Sequence, residues 1–178
     1  MAKKADRKRL YFALWPDTAL RQEFTGLATL AADAADGTPL PAENLHLTLA
    51  FLGQVSAASV ADIVDATRSA RFLPFELTLD RLGFWPRSGV AWLAPQPPQA
   101  MLEALVDDLW RKLEGLGFCR ENRPYRPHVT LCRKVSRGLE KSLQPPIVWS
   151  VREFYLVESQ PGAQASDYTL LQKFSAGD

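Results

Sequence analysis

The sequence is poor in the residues that mark several common functions. Its 178 residues include two cysteines, Cys119 and Cys132, too few for a disulfide framework. No apolar run reaches the roughly 18 residues of a membrane span, and no leader-like apolar segment stands near the start. A cytoplasmic protein without membrane attachment is therefore expected. Neither sign of charge is in excess, with 21 Lys and Arg against 20 Asp and Glu and a formal net charge of +1. The surface as a whole is thus not built to coat a polyanion, and any attraction to phosphate has to be local. Walker, G-x-G-x-x-G and G-x-S-x-G motifs are all missing, which removes the usual signatures of nucleotide loops and serine nucleophiles. The 47% hydrophobic content supports one sizeable core and is short for two independent domains. Residues 1–8 read as a disordered basic tail, and 9–178 as a single domain with two lobes.

Histidine is equally scarce, and its two occurrences are alike. His46 lies in AENLHLTLAFLG and His128 in RPHVTLCRK, each opening His-x-Thr-Leu. With nine threonines in the chain, Thr two residues after both histidines has a chance of roughly one in 400. Side chains two apart on a strand share a face, about 6.6 Å along it. His46 and Thr48 therefore face one way and Leu45, Leu47 and Leu49 the other, and His128 and Thr130 oppose Val129 and Leu131 in the same manner.

The surrounding pattern is mixed. RLYFALWP, NLHLTLAFLG, FELTLDRL, GVAWLAP, PHVTLCRKV, VREFYLVES and DYTLLQKF read as strands. Helices are expected after Asp17, from Ser56 to about Ala70, and from about Pro98 to Leu116. In the last, Leu102, Leu105, Val106, Leu109, Leu113 and Leu116 form the stripe, Asp107–Arg111 and Asp108–Lys112 the outer pairs, and Gly117 the stop. The spacing of 82 positions from one histidine to the other is close to half the chain and suits two similar lobes across a cleft.

Histidine, with an ordinary pKa near 6.5, serves as proton donor in one copy and acceptor in another at neutral pH, and hydroxyls hold phosphate oxygens. Two such pairs facing each other suit in-line displacement at phosphorus. Neither histidine has an HxH, HxxxH or carboxylate partner at ligand spacing, so neither metal nor cofactor is expected. Between 120 and 137, Arg120, Arg123, Arg126, Arg133, Lys134 and Arg137 face the single acid Glu121. Arg126 shares the parity of His128, whereas Arg133 has the opposite parity and needs a strand end or a bulge to reach the same side. Phe51, Trp85, Trp92 and Tyr125 are aromatic candidates for stacking a base, with the core as their alternative place.

The paired HLTL and HVTL motifs resemble the 2H phosphoesterase superfamily. RLYFALWPD, PAENLHLTLAFLG, RPYRPHVTLCRK, LVESQPG and DYTLLQKF, in that order, are similar to its RNA 2',3'-cyclic phosphodiesterase branch, also described as 2'-5' RNA ligase-like, over residues 9–174. The resemblance implies an α+β fold of two lobes, antiparallel sheets flanked by helices around a central cleft. It also implies metal-independent opening of 2',3'-cyclic phosphate to 2'-phosphate, with His46 as proton donor, His128 as proton acceptor, and Thr48 and Thr130 on the nonbridging oxygens. Arg126, Arg133, Phe51 and Tyr125 are the expected substrate contacts. The implied partner is an RNA terminus or oligonucleotide ending in the cyclic phosphate, met by a monomer. Relatives that join 2'-5' bonds, or bind nucleotides without turnover, are the alternatives.

Overall fold

The computed structural model describes residues 7–97, 99–162 and 166–177. Strand β1 (Arg7–Leu14) leads into helix α1 (Thr18–Ala35), the two-residue strand β2 (Thr38–Pro39), a 3-10 turn over Ala42–Asn44, and β3 (Leu47–Ser56). A turn over Ala57–Ser59 opens α2 (Val60–Thr67), followed by β4 (Phe75–Trp85), β5 (Val90–Pro95) and α3 (Ala100–Glu114). Four strands close the order: β6 (Val129–Arg133), β7 (Lys141–Val151), β8 (Glu153–Pro161) and β9 (Ser166–Ser175). Arg7 and Lys8, assigned by composition to the tail, instead open β1 opposite Ser56 and Val55, and Lys8 Nζ meets the buried Glu158 at 2.6 Å. The rest of the expected tail, residues 1–6, lies outside the described residues.

The helices start where their sequences allow. Asp17 caps α1 by accepting from Leu20 N at 2.8 Å, and Leu20, Phe24, Ala28, Ala31, Ala32 and Ala35 form its buried face. Helix α2 is shorter than its apolar pattern, because Ser56 Oγ accepts from Ala58 N and sets a 3-10 turn first. Helix α3 buries five of the six expected stripe residues, but Leu116 is exposed, since the helix stops at Glu114 and Gly117 turns the chain at φ 87°. Pro98, the expected start, is outside the described residues. Of the outer pairs, Asp108–Lys112 forms as expected, but Arg111 also goes to Asp108, while Asp107 takes Arg120 from beyond the helix.

All the strand pairs are antiparallel, in the order β7-β4-β5-β6-β3-β1-β8-β9 with β2 beside β6. The expected α+β lobes are β7-β4-β5-β6 and β3-β1-β8-β9, and they meet at a single pair, Leu47 opposite Val129. Strand β7 is absent from the sequence reading because Pro145 and Pro146 interrupt its pattern. It is an edge strand whose register with β4 jumps from Leu79–Ile147 to Arg81–Ser142, so the prolines stand outside the ladder and remove no hydrogen bond from it.

The helices cross over. Helix α1 precedes β3 yet packs against β6, with Phe24 edge-on to Trp149 of β7 at 5.6 Å, while α3 precedes β6 and packs against β3. One apolar core consequently runs through both halves and includes Leu45, Leu47, Leu49, Val129 and Leu131. Burying that face leaves the opposite face of β3 and β6 for chemistry.

Candidate active site

The single pair that joins the halves also aligns the two motifs. Val129 sits opposite Leu47, and both are fully buried. Continuing that antiparallel register sets Thr48 beside His128 and His46 beside Thr130. All four side chains share the face away from the core and line one cleft of about 510 Å3. The repeated His-x-Thr thus produces a local near-twofold arrangement, one imidazole and one hydroxyl contributed from each side.

Past each threonine the strand breaks its alternation in the same way. In β3, Phe12 pairs with Ala50 and Ala13 with Thr48, which leaves Leu49 without a partner. In β6, Ala91 pairs with Cys132 and Trp92 with Thr130, which leaves Leu131 without one. These bulges let two successive residues turn inward: Leu49 and Ala50 on one side, Leu131 and Cys132 on the other, all at most 2% exposed. The next residue, Phe51 or Arg133, is thereby returned to the cleft. Arg133 reaches the site through the bulge its parity demanded, and Cys132 fills a small buried position as a free thiol.

Each ring is held by the carbonyl two residues before it: His46 Nδ1 lies 2.8 Å from Asn44 O, and His128 Nδ1 lies 2.8 Å from Arg126 O. A carbonyl only accepts, so the proton of the neutral ring sits on Nδ1 and Nε2 is left bare. Beyond this shared contact the surroundings differ. The His46 ring is stacked on Trp15 at 5.2 Å and 6°, tilted against Tyr11 at 5.1 Å, and met edge-on by Tyr168 at 5.3 Å. Burial among these rings holds its pKa down to about 4, and His128 and Arg133 push the same way against the Asn44 carbonyl. His128 touches one indole, Trp85, edge-on at 4.6 Å. Its pKa is also lowered, first by burial and then by the Arg123 guanidinium, with the Arg126 carbonyl opposing.

The remaining expected contacts separate into two places. Phe51 and Arg133 line the histidine cleft, where Arg9 lies over the Phe51 ring at 5.1 Å. Arg126 does not line it. Residues 124–127 lie before β6 with no strand partner, so parity is not carried back to them, and Arg126 is exposed on a neighbouring hollow of about 290 Å3 that shares His128 as its wall. Tyr125 lines that hollow too and donates from its hydroxyl to Thr48 O at 2.9 Å. Burial raises the Tyr125 pKa, so the group stays a neutral donor that fixes β3.

Arg9, Tyr11, Asn44, Arg123 and Tyr168 also line the cleft without having been singled out as contacts. Part of that signal is in the first strand, where Arg9, Tyr11, Ala13 and Trp15 share one parity and Leu10, Phe12 and Leu14 the other. Tyr168 comes from the far end of the chain on β9, and no local pattern points to it. Tyr11 Oη and Asn44 Oδ1 are buried with no hydrogen-bond partner among the described residues, so two polar atoms remain free beside His46. Among the described residues no group of three or more His, Cys, Asp or Glu gathers as a metal site, and no helix is long and apolar enough to cross a membrane.

Comparison with known proteins gives a consistent set. Residues 16–163 match the family model described as 2'-5' RNA ligase superfamily. The chain is 35% identical to the RNA 2',3'-cyclic phosphodiesterase of Escherichia coli (strain K12) over 175 residues, 96% of this chain and 98% of that one. It is 29% identical to the Thermus thermophilus protein of the same name, over 94% and 89% of the two chains. Among solved structures, E. coli LigT complexed with 3'-AMP superposes with a TM-score of 0.85 at 33% identity, covering 97% of this chain and all of that one.

Proposed function

The chain belongs to the 2'-5' RNA ligase superfamily, and we propose that its cleft opens RNA 2',3'-cyclic phosphate ends to 2'-phosphates by paired-histidine acid-base catalysis. The protein is an RNA 2',3'-cyclic phosphodiesterase. The observation that carries the mechanism is the matched pair of Nδ1-to-carbonyl contacts at 2.8 Å, which leave two bare Nε2 atoms beside two hydroxyls on one face. In this reading His128 Nε2 takes a proton from water as it attacks phosphorus, and His46, protonated on Nε2, supplies a proton to the departing 3'-oxygen. Thr48 and Thr130 donate to the nonbridging oxygens, and Arg133 offsets their charge.

Burial lowers both imidazole pKa values in the free protein, His46 to about 4, so the proton on His46 is taken up as the substrate binds. An anionic phosphate beside a desolvated ring favours the charged form and raises a pKa that burial alone holds near 4. Phe51 contributes a face for a base, and Arg126 a charge at the rim of the adjoining hollow. Tyr125 acts through Thr48 by holding its strand. The lining brings imidazoles, hydroxyls and guanidiniums together with a single carboxylate, Glu121, which is paired with Arg123, and this donor set supports a reaction without metal. A monomer in the cytoplasm completes the proposal, the compartment supported by the sparse cysteines.

The test is to incubate purified protein and EDTA with a short RNA ending in 2',3'-cyclic phosphate and identify the product. A 2'-phosphate formed at an undiminished rate is expected. Loss of activity on chelation that one added divalent ion restores would sink the metal-free mechanism, and a 3'-phosphate would reverse the leaving group.

A further inference from the structure

We propose that the hollow behind His128 is an acceptor site, which seats the 5'-terminal nucleoside of a second RNA and presents its 5'-hydroxyl to His128 in place of water. The proposal rests on His128 being the base. In an in-line displacement the nucleophile enters on the base's side of phosphorus, while the departing 3'-oxygen and the nucleoside that bears it lie toward the acid, His46. His128 lines both cavities, so a group held in the second one stands on the side of attack.

The lining fits a nucleobase. Trp92 lies flat across Gly83 of the neighbouring strand, where an added Cβ would come within 2.4 Å of the indole, so only glycine leaves room for that ring. Trp85 adjoins it at 5.7 Å and 40°, and the Arg81 guanidinium is 6.0 Å from the Trp92 centroid. Indole faces bordered by guanidiniums stack bases with little regard to sequence. Arg126, exposed on the rim, is placed for the phosphate that follows the first acceptor nucleoside. The volume of about 290 Å3 is at the small end for ligand sites, which suits one nucleoside.

The step balances without a further reactant. The 5'-oxygen forms a bond to phosphorus as the bond from phosphorus to the 3'-oxygen breaks. The 5'-hydroxyl proton passes to His128 and a proton from His46 passes to the 3'-oxygen, which leaves a 2'-5' phosphodiester. Water and acceptor thus compete for one position, and the occupancy of the hollow decides between hydrolysis and joining.

The experiment compares wild type, Arg81→Glu and Trp92→Leu in three assays: hydrolysis of mono- and dinucleotide 2',3'-cyclic phosphates, 2'-5' joining to a short RNA with a free 5'-hydroxyl, and anisotropy of that RNA labelled at its 3' end. Arg81 is exposed, so its replacement leaves the fold intact even where loss of Trp92 does not. Joining and acceptor binding should each fall about tenfold or more, in line with a lost stacking partner, while both hydrolyses stay within about twofold. Joining and binding unchanged in Arg81→Glu would overturn the proposal, as would a wild type that hydrolyses but neither binds nor joins the acceptor. A matching fall in dinucleotide hydrolysis would instead assign the hollow to the substrate's own penultimate nucleoside. If no cyclic phosphate were opened at all, the catalytic reading would fail, and the anisotropy of wild type against Arg81→Glu would still decide the site.

Discussion

Around His46 the wall is aromatic, with three rings whose centroids lie within 5.3 Å of the imidazole. Around His128 it is one indole at 4.6 Å, the charge of Arg123 and an open second hollow. The backbones beneath are nearly the same: a ring tied to the carbonyl two residues back, a threonine, two inward residues at a bulge, then one side chain returned to the cleft. That last side chain is Phe51 in one half and Arg133 in the other. A repeated scaffold therefore places two equivalent groups, and the unrepeated neighbours make them unequal. An acid and a base on one displacement have to be unequal in just this sense, because each must hold the opposite protonation state at the moment of reaction.

The comparison breaks most visibly if either histidine is removed. His46→Ala and His128→Ala should each lower kcat by about 10²- to 10⁴-fold. The double variant should lose less than the product of the two, because both serve one displacement. Thr48→Val and Thr130→Val, which keep the strand shape, should cost less. Rate measurements on variants with unchanged circular dichroism check this, and a folded single-histidine variant with near-normal turnover would make the motif architecture.

A smaller effect separates the two returned residues. Arg133→Ala should raise KM several-fold more than it lowers kcat, and should reduce the salt dependence of binding by about one charge. Phe51→Ala should weaken binding without changing the salt slope, since a ring releases no counterions. Equal salt slopes in the two variants would erase the distinction.

The smallest effect is on stability. Unfolded, His46 titrates near 6.5; folded, burial keeps it neutral down to about 4. Between those values the unfolded chain binds the additional proton, so stability is complete above about pH 6.5 and declines as pH falls toward 4. Thermal melts over that range should show the decline in wild type and a flatter response in His46→Gln, which has no proton to gain.

How far the sequence anticipates the structure depends on the range of the signal. The faces of both motifs follow from alternation alone, as do the Asp17 cap and the stripe of α3, each decided within a few residues. The bulges at Leu49 and Leu131 were not legible, because a bulge is a mismatch with a partner strand and that partner is unknown until the sheet exists. Strand β7 was hidden for a related reason: its prolines are tolerated only because the strand lies at an edge. The cage around His46 draws Tyr11, Trp15 and Tyr168 from opposite ends of the chain, and only the shared parity of Tyr11 and Trp15 was available in advance. Arg126 lies on the adjoining hollow and not in the cleft, because the chain before His128 has no strand partner to carry the alternation back to it.

The central claim is that His46 and His128 take opposite roles in one step, and the pH dependence of kcat/KM in wild type and the two single variants tests it most directly. Burial lowers both free-protein ionisations, so the wild-type profile should be a bell centred below 6.5, its limbs belonging to the coupled pair. Its kcat optimum should lie at higher pH, because bound phosphate favours imidazolium. His46→Ala removes the acid and should lose the alkaline limb; His128→Ala removes the base and should lose the acidic limb. Loss of the same limb in both variants, or a bell retained in either, would contradict the assignment.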